Sequence, residues 1–123
     1  MTDDRFPKQV FGEGKEPDPR FSLANERTFL AWVRTALGLL AGAVAVHAPA
    51  VNLDAWVKNL VSLWLLVAAG VALASSWRRW IATERAMRTG QPHPGFAGPA
   101  LLAALLSVLV AAAAVGVLVV AVR

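Results

Sequence analysis

The sequence predicts an all-α integral membrane protein with three transmembrane helices, on three observations. Of its 123 residues, 57% are apolar and only 16% are charged, and the mean hydropathy is +0.54. The charge is segregated: the stretches Thr28 to Ala48, Asn59 to Trp77 and Pro99 to Val122 contain one charged residue between them, Arg34. At 21, 19 and 24 residues, each stretch can cross a hydrocarbon core of about 30 Å at about 1.5 Å per helical residue. A chain this short cannot supply enough other protein to bury three helices that are apolar on every side, so the solvent for these faces is lipid.

Residues 1–20 form a first segment, rich in Pro7, Pro17, Pro19, Gly12 and Gly14, which predicts a flexible region without regular structure. It carries Asp3, Asp4, Glu13, Glu16 and Asp18 where a cleavable signal needs a short basic stretch running directly into an apolar one, so it is expected to stay on the mature chain. Residues 21–123 form the membrane domain, with helices over about 22–48, 58–89 and 99–122. Pro49 ends the first helix, and Asn52 with Asp54 favours a turn. The second connection runs through Gln91, Pro92, His93, Pro94 and Gly95. Arg85 and Arg88 continue the second helix beyond its apolar part, with Glu84 one turn before Arg88 for an i,i+4 pair. Gly90 reads as a C-cap, and Gly98 with Pro99 as the start of the third helix.

Lys and Arg counts set the orientation. Arg5, Lys8, Lys15, Arg20 and Arg27 precede the first span and four arginines follow the second, whereas the first connection has none before Lys58 and the C-terminus has only Arg123. The N-terminus is therefore expected on the cytoplasmic side and the C-terminus outside. Trp56, Trp77 and Trp80 fall at span boundaries as an aromatic belt, Trp32 lies just inside the first span, and Trp64 is deep enough to pack between helices.

Cysteine is absent, and His47 and His93 fall on opposite predicted sides, so no metal site is expected. No nucleophile and base pair and no phosphate-cradling glycine loop is present; no catalytic residue, cofactor or nucleic-acid partner is predicted, and the protein is not expected to be an enzyme.

Arg34 is the informative residue, because an arginine at the centre of a membrane helix costs about 2.5 to 3.5 kcal/mol. If the helix enters hydrocarbon near Phe29, the Arg34 backbone lies about 7 Å deep, within reach of a snorkelling side chain. The stripe it occupies favours protein contact instead. At about 100° per residue, Arg27, Ala31, Arg34, Gly38, Ala41 and Ala45 lie close to one line, with Gly42 beside it, while Phe29, Trp32, Val33, Leu39 and Leu40 point away. Gly38 and Gly42 form a G-x-x-x-G, and with Ala31 and Ala45 they permit close approach between helices. Association of several copies would stack Arg27 and Arg34 into basic rings that favour anions. In the competing arrangement, Glu26 and Asn25 of neighbouring copies pair these arginines into a closed polar seam.

Ala68 with Ala72, Gly70 with Ala74 and Ala112 with Gly116 read as packing seams. Ser62, Ser75, Ser76 and Ser107 can bond their own helix. Arg78, Arg79, Arg85 and Arg88 are expected to contact anionic lipid headgroups or phosphate-containing solutes.

The run from Asp18 to Thr35, with Ala24-Asn25-Glu26-Arg27-Thr28-Phe29-Leu30 at its core, resembles the signature of the domain of unknown function 202 family of small, YidH-like bacterial inner membrane proteins. The resemblance extends from about Asp18 to the C-terminus. The same domain forms the membrane part of the eukaryotic vacuolar transporter chaperone complex, where several copies form a ring and basic residues of first helices line a path for polyphosphate. The resemblance therefore implies Arg27 as a path-lining or gating cation with Glu26 as its partner, and Arg34 as part of a bacterial Trp-x-x-Arg-Thr form of the motif. This chain lacks a soluble polymerase domain and a phosphate-sensing domain, so it is not expected to make polyphosphate alone. The reading that results is a homo-oligomer in the lipid bilayer whose first helices present a basic site or path for phosphate-like anions or polyanions. The alternative is a non-conducting membrane scaffold or assembly partner, with arginines serving lipid and seam contacts.

Overall fold

The computed structural model describes residues 4–93, 95 and 97–123; Asp3 and Pro94, named above, lie outside them. The described residues form four helices and no strand: α1 (Lys8–Phe11), α2 (Pro19–Ala45), α3 (Ala55–Thr89) and α4 (Ala97–Val122). The last three are long and apolar enough to cross a membrane, at the places where the apolar stretches predict them.

The boundaries shift for local reasons. α2 begins at Pro19, because Asp18 caps it: the Arg20 amide donates to Asp18 Oδ1 at 2.9 Å, and Pro19 fills a first-turn position where no amide is needed. It ends at Ala45, before Pro49, in successive turns in which His47 N donates to Val44 O and Ala48 N to Ala45 O. α4 begins at Ala97, so Pro99 sits inside its first turn, still among amides that have no intrahelical acceptor. Gly90 closes α3 in the left-handed conformation at φ 68°, as a C-cap glycine should. The 35 residues of α3 exceed what a bilayer core needs, so the stretch from Arg78 to Thr89 projects about 18 Å beyond its apolar part.

α3 is the central helix. It packs along α2, more sparsely on α4, and at its far end against α1. The core is built from small residues, Ala36 of α2, Ala68, Ala69 and Ala72 of α3 and Leu102 of α4, with Trp32, Leu39, Leu105 and Leu106 packed around them. Alanines at the contact let backbones approach closely, and dispersion and interhelical hydrogen bonds then hold helices that gain nothing from escaping water. Among the described residues, two such bonds lie within the apolar part of the bundle. Ser62 Oγ donates across to Ala43 O of α2 at 2.7 Å rather than to its own helix, and Trp64 Nε1 donates to Leu105 O of α4 at 2.9 Å. Ser76 and Ser107 bond their own helices as expected. Gly98 marks a close α3–α4 approach, since a Cβ there would lie 3.1 Å from Ser75 Cβ. Of the predicted seams, Ala68 and Ala72 are fully buried, whereas Gly70, Ala74, Ala112 and Gly116 face outward.

The N-terminal segment departs from its composition. Proline and glycine predict no regular structure before residue 20, yet the chain makes one helical turn at α1 and lies as a strap on the projecting end of α3. Val10 is completely buried, Phe6 stacks on Trp77, and Phe11 meets Trp80. The Lys15 amide donates to Arg88 O, and Gly14, at φ 63°, passes so close to that carbonyl that any Cβ would collide with it.

Candidate functional site

α2 presents four distinct sides, which follow from its periodicity of about 100° per residue. One side meets α3 and carries the buried Asn25, Ala36 and Ala43 with the half-buried Phe29, Trp32 and Leu39. Diametrically opposite lies the stripe of Arg27, Arg34, Gly38, Ala41 and Ala45, all exposed. Between them on one flank runs a row of bulky residues, Leu30, Val33, Leu37, Leu40 and Val44, with the leucines and Val44 exposed. The other flank overhangs α4 and forms a groove of about 520 Å³ with Arg27, Thr28, Ala31 and Thr35 on one wall and Leu102 and Leu106 on the other.

Among the described residues, Arg27 and Arg34 make no ion pair or hydrogen bond. Glu26 is exposed one residue before Arg27, but consecutive positions diverge by about 100° and the two do not pair within the chain. Gly38 has open space where a Cβ would stand, while a Cβ on Gly42 would touch Leu65 of α3 at 3.5 Å. Gly42 therefore serves the seam inside the chain, and Gly38 the outward face.

Asn25 is elsewhere than the sequence places it. It is 8% exposed in the α2–α3 seam, where its Nδ2 donates to Trp80 O at 3.1 Å and to Glu84 Oε2 at 3.2 Å, while Ser22 Oγ donates to Glu84 Oε1 at 2.8 Å. Glu84, 3% exposed, thus gives both oxygens to α2, and the expected i,i+4 pair with Arg88 does not form. This clamp fixes α2 to α3 at the polar end of the bundle and sets the rotation of α2. By holding Asn25 inward it turns Arg27 and Arg34 outward. Sequence reading missed the clamp because its halves lie about 60 positions apart; only the coincidence of polar Ser22 and Asn25 on one face hinted at it.

The four arginines read as one headgroup-contacting group divide in two. Arg78 is exposed, and Arg79 donates to Gly95 O at 3.0 Å; together they line a pocket of about 420 Å³ between α3 and α4. Arg85 and Arg88 are occupied by the strap. Arg85 grips Glu13 with two hydrogen bonds of 3.0 and 3.1 Å. The Arg88 side chain is 3% exposed, reaches Glu16 at 3.4 Å, lies 4.7 Å from the centroid of Phe11, and leaves its Nε buried without an acceptor. It therefore faces the strap rather than headgroups. Arg5 completes the cluster, bidentate to Glu16 at 2.7 and 2.9 Å and 4.4 Å from the same ring.

The Glu16 carboxyl is held below its ordinary value of 4.5, first by the hydrogen bond from Arg5, which outweighs the opposing effect of desolvation, and then by the charges of Arg5 and Arg88 and the hydrogen bond from Arg88. A carboxyl whose value is depressed on docking contributes above its free value and loses that contribution as pH falls through the docked one. Strap docking is thus expected to be constant above about pH 4.5 and to weaken below it, with Trp77 and Trp80 fluorescence changing in that acid range. A Glu16→Gln chain should lack this acid transition. Among the described residues no cluster of three His, Asp or Glu side chains is arranged to hold a metal ion.

Three spans around an alanine seam, with a polar clamp at one end, define a small multi-pass helical membrane protein. The chain belongs to the family described as Domain of unknown function (DUF202), whose sequence model matches residues 20–86, the region that holds α2, the clamp and most of α3. It is 40% identical over 104 residues to Inner membrane protein YidH of Escherichia coli (strain K12), covering 84% of this chain and 90% of that protein. It is 44% identical over 96 residues to Uncharacterized protein Rv2272 of Mycobacterium tuberculosis (strain ATCC 25618 / H37Rv), covering 76% and 78%. No solved structure matches the chain. The protein is a multi-pass protein of the inner membrane, and neither of these relatives bears an enzymatic name.

Proposed function

We propose that copies of this chain associate in the inner membrane through the face of α2 that α3 leaves uncovered, and that Arg27 and Arg34 of neighbouring copies form a basic site, or path, for phosphate-like anions. One observation carries the reading. Arg34, the single charge inside an apolar stretch, lies opposite the α3 seam, on a stripe of glycine and alanine, with no acceptor among the described residues of its own chain. A guanidinium so placed needs a partner of opposite charge or water, and small residues around it admit another helix rather than bulky side chains. Because Asn25 and Glu84 satisfy each other inside the chain, they do not neutralise the arginine rings of an assembly. Glu26 is the one carboxyl of α2 left on its outer surface.

The test is flux from liposomes loaded with phosphate or short-chain polyphosphate. The intact assembly is expected to conduct, and Arg34→Ala and Arg27→Ala are each expected to lower the rate by about tenfold or more, the equivalent of about 1.4 kcal/mol at the barrier. An intact oligomer without flux, or flux indifferent to both substitutions, contradicts the reading.

A further inference from the structure

The strap does more than cover the end of α3. Docked there, it brings Phe6 against Trp77, with ring centroids 6.2 Å apart and planes at 25°; Trp77 in turn lies 5.9 Å from Trp80 at 21°. Phe29 of α2 meets this stack in a T-shaped contact, 6.4 Å from Trp77 at 65°. The rings, Leu30 and the buried Pro7 line an open pocket of about 280 Å³, and the charged residue in its lining is Glu26. Among the described residues this carboxyl has no hydrogen-bonding or ionic partner, in a part of the chain otherwise crowded with arginine.

Aromatic rings lining a pocket beside an unpaired carboxyl are the chemistry that recognises an organic ammonium group: the ring quadrupole and the carboxylate both attract a cation that the apolar surroundings partly desolvate. Position says where that cation comes from. Trp77 is the last residue of the apolar part of α3, and Phe29 is the second residue of that of α2, so the pocket sits at the level where hydrocarbon gives way to headgroups. Glu26 also heads the outward row of α2 formed by Leu30, Val33, Leu37, Leu40 and Val44, all within about 40° of one line at 100° per residue. A molecule with its amine in the pocket has an apolar track directly beneath it for acyl chains.

We infer that the pocket between the strap, α2 and α3 binds the ammonium headgroup of a zwitterionic aminophospholipid, with Glu26 as its counter-ion and Phe6, Phe29 and Trp77 as its walls. The inference is independent of how copies associate. Because Phe6 and Pro7 belong to the strap, lipid binding and strap docking stabilise each other by mass action.

The test titrates detergent-purified full-length protein with dihexanoyl phosphatidylethanolamine, following tryptophan fluorescence, against dihexanoyl phosphatidylglycerol and free ethanolamine. A saturable response to phosphatidylethanolamine is expected, with little response to phosphatidylglycerol, which has no cation, or to ethanolamine, which has no acyl chains. Glu26→Gln, an isosteric change at an exposed position, is expected to weaken the response about tenfold, as loss of a charge-assisted contact does. Phe6→Ala keeps every tryptophan and should weaken it several-fold. Equal responses to the two phospholipids, or a response to phosphatidylethanolamine unchanged in Glu26→Gln, would overturn the inference; unchanged thermal unfolding of both variants shows that they remain folded.

Discussion

Replacing Glu84 by alanine is expected to destabilise the bundle more than any other single polar substitution in it. Glu84 is 3% exposed and accepts hydrogen bonds from Ser22 and Asn25 of α2. Removing it leaves the Ser22 hydroxyl and one Asn25 amide proton without an acceptor and opens a void in the seam. An orphaned buried donor costs about 1–3 kcal/mol, and the half-buried Ser22 hydroxyl, which water can reach, costs toward the lower end, so the total is about 2–4 kcal/mol. Glu84→Gln keeps the shape and one acceptor, and should lose roughly half as much. Both follow from thermal unfolding in detergent monitored by tryptophan fluorescence, where Glu84→Ala is expected to lower the midpoint by about 10 °C. Far-UV circular dichroism should barely change at first, since spans keep their helices when packing between them is lost. An unchanged midpoint would mean that the clamp does not hold α2 against α3.

The clamp also shows where sequence reading stops. Span positions are legible because apolar length is a property of consecutive residues: three uninterrupted runs predict three spans, and the structure has them. The stripe of Arg27, Arg34 and Gly38 is legible for a similar reason, because a helix wheel needs only the local sequence. Helix ends move by two or three residues because caps such as Asp18 and the turns before Pro49 act locally and compete. Partners are the illegible part. Asn25 meets Glu84 across 59 positions, and Glu13 and Glu16 meet Arg85 and Arg88 across 72, so the motif that singles out Asn25 says nothing of its inward direction. The strap is hidden for the same reason: its prolines and glycines argue against helix, while Val10 finds its burial, and Phe6 and Phe11 their ring contacts, on the distant end of α3.

Seen together, the clamp and the stripe divide labour along α2. Polar residues inside the seam fix its rotation, and the arginines, turned away from α3, wait for whatever lies outside. α4 strengthens the point, since from Val110 to Arg123 every residue is exposed in the single chain, leaving apolar surface that only lipid or further copies can cover.

The absence of cysteine makes the decisive measurement direct. Single cysteines placed at Gly38 and Ala41 on the arginine stripe, and at Leu40 and Val44 on the leucine row, can be oxidised in native membranes; a disulfide forms only where Cα atoms come within about 7 Å. Gly38 has open space for the new side chain, and Leu40 and Val44 are 44% and 68% exposed, so all are accessible in the single chain. Cross-linked dimers are expected from Gly38→Cys and Ala41→Cys and none from Leu40→Cys or Val44→Cys. Cross-links confined to the leucine row, or none from any position, would contradict association through the arginine stripe.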